Sequence, residues 1–215
     1  MKSEFWHQRW SEGQIGFHQS DINGYLQEHW RNLYLDQGTV FVPLCGKSSD
    51  MLWLRDQGHS VIGSELSELA VKDFFEENGL TPTIEEAERY QRWSSDGITI
   101  LVGDIFKLRA EDLMGVTTLY DRAALVALPE SMRWDYVHHL QKILPHQCKM
   151  LLIATTYPQE EMAGPPFSVD EREIRALYKS HWQVEQIFTH NFPDDHPRLK
   201  NRGISRMEES VYLIS

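Results

Sequence analysis

Seven short apolar runs, separated by stretches with helical spacing, constrain this chain more than any other feature. They are Val40-Phe41-Val42-Pro43-Leu44, Ser60-Val61-Ile62-Gly63-Ser64, Ile98-Thr99-Ile100-Leu101-Val102, Thr118-Leu119-Tyr120, Met150-Leu151-Leu152-Ile153-Ala154, Val184-Glu185-Gln186-Ile187-Phe188 and Val211-Tyr212-Leu213-Ile214. Successive side chains of a strand point to opposite faces, so a run that stays apolar without alternating belongs to a strand covered on both sides. Val184 to Phe188 alternates, which predicts a more exposed strand. The intervening stretches read as helices. Residues 49–57 carry Met51, Leu52 and Leu54 and stop at Gly58. Ser67 caps a helix with Ala70, Val71, Phe74 and Phe75 inward and Gly79 as its stop. Pro129 opens another, with Met132, Val137, Leu140 and Leu144 on one face and Pro145 as terminator. Ser168 and Glu171 form a capping-box pattern before Ile174 and Leu177. Strands alternating with helices predict a doubly wound, mainly parallel α/β sheet.

Residues 1–35 stand outside the alternation. Ile22, Tyr25, Leu26, Trp30 and Leu33 lie at helical spacing, which predicts a helical cap. With no repeat or linker, residues 1–215 are expected to form a single domain. Acidic residues number 32 against 21 basic ones, a formal net charge of −11. That field repels a phosphate backbone, and Lys and Arg are scattered, so nucleic acid is not expected as a partner. Cys45 and Cys148 are too few for a disulfide framework. No signal-like apolar stretch opens the chain and no window is apolar enough to span a bilayer, so a cytoplasmic protein without membrane contact is expected.

In doubly wound folds the ligand lies outside the carboxyl ends of the strands. The first strand here runs into Leu44-Cys45-Gly46-Lys47-Ser48, and the second ends at Glu65, nineteen residues beyond Gly46. A turn glycine followed at that distance by an acid matches a nucleoside site, with the acid accepting from both ribose hydroxyls. The same residues also fit a tight turn and a solvated acid at a helix start. A single glycine disfavours dinucleotide cofactors, which need three. Gly46-Lys47-Ser48 is not a P-loop, because Phe41 stands where that motif requires glycine. A cofactor with ribose and adenine but no phosphate remains, and S-adenosylmethionine fits. Asp104, after the third strand, can accept from the adenine amino group while Ile105 packs on the ring; a plain Gly-Asp turn is the alternative. Arg122 follows the fourth strand, suited to a carboxylate or an acceptor anion, or to an ion pair with Asp121 or Glu65.

Several segments resemble the thiopurine S-methyltransferase family, its bacterial branch in particular. They are Val40 to Lys47, Asp50-Met51, Gly58 to Gly63, Glu65 to Glu68, Phe5-Trp6 with Trp10, Phe17-His18-Gln19, and Asp121-Arg122-Ala123-Ala124-Leu125-Val126-Ala127. The resemblance implies a class I, Rossmann-like methyltransferase with a seven-stranded, mostly parallel sheet whose last strand is antiparallel. It implies S-adenosylmethionine as cofactor, S-adenosylhomocysteine as product, and a small aromatic or heterocyclic thiol as acceptor, with selenium or tellurium species as further acceptors. It places Trp10, Leu44, Gly46, Glu65, Asp104, Ile105 and Arg122 around the cofactor, and Phe17, Arg122 and Arg198 around the acceptor. Animal members carry serine where this chain has Asp104. A monomer is expected.

Methyl transfer from a sulfonium is an in-line displacement with a neutral leaving group, so alignment and thiolate stabilisation can suffice. No general base is therefore assigned. His18 reads as a helix-cap or core histidine, Cys45 as packing, and His138-His139 as surface. Residues 193–202 read as an aperiodic loop over the site, with Asp194-Asp195-His196 solvated. No metal site emerges. Two other readings compete: an O- or N-methyltransferase, which needs a positioned base, and a non-catalytic S-adenosylmethionine-binding module, which would have no use for Phe17, Arg122 and Arg198.

Overall fold

The computed structural model describes residues 3–15, 18–33 and 37–215. In chain order the elements begin with α1 (Ser3–Ser11), α2 (Gly24–His29), β1 (Thr39–Pro43), α3 (Asp50–Asp56), β2 (Ser60–Glu65) and α4 (Glu68–Glu77). Next come β3 (Thr83–Glu86), β4 (Gln91–Ser95), β5 (Ile98–Val102), β6 (Val116–Asp121), α5 (Ala124–Ala127) and α6 (Glu130–Ile143). The chain closes with β7 (Lys149–Thr156), α7 (Glu171–Tyr178), β8 (Val184–Asn191), α8 (Pro197–Arg202) and β9 (Glu208–Ile214).

One sheet contains all nine strands in the order β3-β4-β5-β2-β1-β6-β7-β9-β8. β5, β2, β1, β6 and β7 are mutually parallel, and β9 lies antiparallel between β7 and β8. The seven expected strands are all present, with β9 reversed as expected. The two additional ones, β3 and β4, form an antiparallel hairpin on the β5 edge. Their residues are mostly polar and only Trp93 among them is buried. An edge hairpin needs no continuous apolar run, so composition does not announce it.

Helices cover both faces, and single strands feed both layers. Phe41 points into the core beneath α6 and α7 with Tyr136, Val137, Leu140, Ile174 and Leu177. Val40 and Val42 point the other way, to Leu26, Met51, Leu54, Val71 and Phe74. This is why the strand runs are unbroken by polar residues. The helical cap is pinned to that second layer. Asp50, 1% exposed, accepts from the Asn23 N–H at 2.8 Å and from the Tyr120 hydroxyl at 2.9 Å. The Trp30 indole donates to His59 at 3.0 Å.

Local chemistry departs from expectation at three places. Asp170, not Ser168, caps α7, accepting from the Glu173 N–H at 2.7 Å; Ser168 instead accepts from the Tyr157 N–H at 3.0 Å. Residues 193–202 are not wholly aperiodic. His196 caps α8 by accepting from the Arg198 N–H, Pro197 takes the first turn, and Gly203 closes it at φ 67°. His139 is not a surface residue: half-buried, its ring nitrogen lies 2.8 Å from the Ile105 carbonyl.

At the end of β6 the Asp121 carboxylate is buried, accepting from the Tyr136 hydroxyl at 2.7 Å and from the Ala124 and Leu125 N–H groups. Burial raises its pKa from 3.8 to about 6. Below pH 3.8 it is protonated in both the folded and the unfolded chain. As pH rises from there to about 6 the unfolded chain ionises first, so the folded state loses stability, and above that the effect is constant. Asp121→Asn, isosteric and uncharged, should therefore gain on wild type by about 2 kcal/mol between pH 4 and pH 7. Urea unfolding of both proteins at the two pH values measures this. A difference that does not move with pH overturns it.

Candidate active site

The strand order reverses between β1 and β6, which opens a crevice at their carboxyl ends. A cavity of about 700 Å³ occupies it, within the few hundred to one thousand typical of small-molecule sites.

On one side the tips of β1, β2 and β5 are tied together. Cys45 donates its N–H to the Ser64 carbonyl at 3.0 Å, extending the β1–β2 ladder by one residue. The Gly46 N–H then donates to Glu65 Oε2 at 2.9 Å, and the Ser67 N–H to Oε1 at 2.8 Å. The Glu65 carbonyl accepts from the Gly103 N–H at 2.8 Å, which draws in the β5 tip. To reach this geometry the turn takes left-handed backbone at both Leu44 (φ 48°) and Gly46 (φ 52°). Such a conformation is rare for a residue as bulky as leucine. The Trp10 ring of α1 lies over Gly46, where an added Cβ would come within 3.1 Å of Trp10 Cζ2.

Glu65 is 7% exposed, and burial raises its pKa above the ordinary 4.5 against the opposing pull of the backbone N–H groups. A carboxylate presents about four lone-pair directions, so two short backbone bonds leave acceptor capacity on both oxygens. That remaining capacity suits a pair of adjacent hydroxyls at the cavity wall, as a ribose supplies. Asp104 and Ile105 line the same half, Asp104 Oδ1 accepting from the Phe106 N–H at 3.0 Å.

The other half of the cavity is cationic. Arg122, just past β6, makes no side-chain ion pair or hydrogen bond among the described residues. The alternative of a pair with Asp121 is removed, since that carboxylate is taken up by Tyr136, Ala124 and Leu125. Arg198 lines the cavity but is paired with Glu209 at 2.9 Å and lies over the Phe192 ring. Phe17 lies outside the described residues.

Several residues of the wall carry no role in the sequence reading. His18 is neither a helix cap nor core: it stands half-buried in the cavity wall, its pKa lowered by burial and by the Lys47 charge. Lys47 itself is held by Glu77 at 2.6 Å. Trp6, His7, Ser64, Thr155 and Arg202 also line the cavity. The spacing of Trp6 from Trp10 and of Arg202 from Arg198, one helical turn in each case, is the signal that could have located two of them. Cys45 is buried, and its thiol pKa is raised by burial, so it is packing and not a nucleophile. No cluster of metal-ligating residues occurs among the described residues.

An open sheet of this order, with helices on both faces and a cavity over the β1 and β6 tips, defines the class I methyltransferase architecture. A solved structure of Burkholderia thailandensis 1,6-didemethyltoxoflavin-N1-methyltransferase, with 1,6-didemethyltoxoflavin and S-adenosylhomocysteine bound, shares it. The TM-score is 0.63 at 11% identity, over 98% of this chain and 86% of that one. The particular relationship comes from sequence. The family model described as thiopurine S-methyltransferase matches residues 1–215. The chain is 48% identical to the thiopurine S-methyltransferase of Nitrosospira multiformis, over all of this chain and 98% of that relative. To that of Pseudomonas fluorescens Pf0-1 it is 47% identical, over all of this chain and 99% of the relative. The chain belongs to the thiopurine S-methyltransferase family.

The turn geometry has a measurable cost. Gly46→Ala forces a side chain into left-handed backbone and against Trp10, and should destabilise the fold by about 1–2 kcal/mol. Urea denaturation reads this directly; an unchanged midpoint overturns the geometry described for the turn.

Proposed function

We propose that residues 1–215 form one methyltransferase domain that transfers a methyl group from S-adenosylmethionine to the sulfur of a small aromatic or heterocyclic thiol, releasing S-adenosylhomocysteine. Selenium or tellurium species are further acceptors on this reading. The observation that carries it is the division of one cavity between a buried carboxylate with free acceptor capacity, Glu65, and a set of guanidiniums on the opposite side. Family membership supports it.

When bound, S-adenosylmethionine supplies a methyl group on a positively charged sulfur. In this reading Glu65 accepts from both ribose hydroxyls, Asp104 from the adenine amino group, and Ile105 packs against the ring. The Leu44–Gly46 backbone allows close approach of the ligand, and the Trp10 face stabilises the nearby cation by about 0.5–2 kcal/mol. Arg122 holds the cofactor carboxylate or the acceptor anion, and Arg198 and Phe17 face the acceptor. Guanidiniums beside a thiol favour its thiolate, so the acceptor can arrive already ionised. We read the protein as a cytoplasmic monomer that does not act on nucleic acid. No helix among the described residues is long and apolar enough to cross a membrane.

A second reading has one observation in its favour. His18 stands in the cavity wall with a lowered pKa, hence neutral and able to take a proton, which an O- or N-methyltransferase would need.

Two measurements test these assignments. Ribose hydroxyls need the ionised form of Glu65, whose folded pKa lies above 4.5. Cofactor affinity should therefore fall as pH drops through that raised value, with proton release on binding in the same range. Glu65→Ala should bind the cofactor at least about tenfold more weakly and lose this dependence. Calorimetric titration across pH reads both, and unchanged affinity in a folded variant overturns the ribose assignment.

The second measurement uses pH-rate profiles with two thiols of different acidity. If thiolate stabilisation suffices, the profile should move with the thiol's own pKa and survive His18→Ala. A profile independent of the thiol that collapses in His18→Ala establishes the base-dependent reading instead.

A further inference from the structure

Helix α8 carries two guanidiniums one turn apart, Arg198 and Arg202, and both line the cavity. They stand on the β7–β9 side: α8 leads into β9, where Glu209 is the register partner of Thr155 on β7. Gly46, Glu65 and Asp104 lie across the cavity at the tips of β1, β2 and β5. The arginines of α8 therefore flank the acceptor half, away from the nucleoside half.

Their electrostatic situations differ. Arg198 donates to Glu209 Oε1 at 2.9 Å, and burial together with the Glu209 charge raises the pKa of the nearby Tyr25 hydroxyl. Glu209 is thus already engaged by Arg198. Arg202 has no acid within ion-pair distance among the described residues, and its Nη1 is buried without a hydrogen-bond partner. Burial and the like charge of Arg198 both disfavour its ionised form, and only Glu209 and Tyr157 favour it. Arg202 is half-buried, and a guanidinium nitrogen removed from water without an acceptor, as its Nη1 is, is costly. A structural arginine would be satisfied by its neighbours, as Arg133 is by Glu173 at 2.7 Å. Arg202 is not, and it borders a cavity. What it lacks is a planar, doubly accepting anion.

We propose that Arg202 is a specificity-determining residue that receives an acidic group, a carboxylate by preference, carried by the acceptor in addition to its reacting sulfur. This rests on the thiol-acceptor reading above and narrows it to thiols bearing a second, anionic substituent. Arg122 and Arg198 remain for the sulfur and the cofactor carboxylate, and Arg202 discriminates between charged and neutral acceptors of one shape.

The test separates binding from turnover. Benzoate and benzamide are titrated calorimetrically into the full-length protein loaded with S-adenosylhomocysteine, using wild type, Arg202→Gln and Arg202→Lys, each with a melting curve. Benzoate affinity should fall at least about tenfold in Arg202→Gln and less in Arg202→Lys, with benzamide and S-adenosylhomocysteine unaffected. In methyl transfer to 3-carboxythiophenol, Arg202→Gln should raise KM by a similar factor with little change in kcat. Transfer to the corresponding amide should not change. Equal effects on benzoate and benzamide, no effect on either, or a parallel loss of S-adenosylhomocysteine binding overturns the proposal. Should Arg202→Gln not fold, Arg202→Lys decides: selective weakening of benzoate supports the site, and unchanged benzoate binding overturns it. If no thiol is methylated by wild type while benzoate binding still requires Arg202, the thiol-transfer reading fails and the anion site stands.

Discussion

The site is organised around the hydrogen bonds that the Glu65 carboxylate accepts from Gly46 and Ser67. A carboxylate in a setting only 7% exposed is unfavourable unless donors surround it. The donors here are backbone N–H groups, whose positions are set by the chain path and not by a rotamer. To deliver the Gly46 N–H, the turn after β1 must pass through left-handed backbone at Leu44 and Gly46. Ser67 must stand at the start of α4, where its hydroxyl also accepts from the Ala70 N–H. Together with the Glu65 carbonyl accepting from Gly103, these bonds lock three strand tips into one rigid wall. A preorganised acceptor of this kind needs little rearrangement when hydroxyl donors arrive.

Across the cavity the electrostatics invert. The chain as a whole carries −11, yet Arg122, Arg198 and Arg202 meet in one half of the cavity with Glu209 as the acid paired to Arg198. On the proposed function, a local cationic patch inside an acidic surface field favours a small anion, since a large polyanion would meet the surface repulsion first. On the same proposal, the half around Glu65 takes the nucleoside and the half around the arginines stabilises the negative charge of the acceptor thiolate.

How much of this was legible in the sequence depended on the kind of signal. Six of the seven expected strands could be read because burial on both faces forces largely apolar runs, as Phe41 between Val40 and Val42 shows, whereas the edge strand β8 was legible from its alternation. The β3–β4 hairpin could not, because an edge pair with one buried side chain, Trp93, needs no such run. The α7 cap was misassigned to Ser168 because Ser168 and Asp170 are both good caps, and the contact with Tyr157 that engages Ser168 is long-range. Helix α8 was hidden by its polarity, although His196, Pro197 and Gly203 mark its two ends.

The sequence by itself determined the doubly wound class and seven of the nine strands, and it marked Gly46 and Glu65 as a pair for a nucleoside. Those depend on local periodicity and on a short-range pairing of Gly46 with Glu65 through adjacent parallel strands. At the end proposed for the acceptor, the family resemblance already implied Arg122 and Arg198; that Arg202 and His18 line the same cavity was decided by the tertiary structure. Arg122 follows β6, Arg198 and Arg202 lie on α8, and His18 belongs to the N-terminal cap. They converge only because the sheet brings β6, β7 and β9 side by side. Whether a charged side chain in that group is satisfied, as Arg198 is by Glu209, or left unmatched, as Arg202 is, depends on distances of a few ångströms between segments remote in the chain. No pattern within a single element encodes such distances.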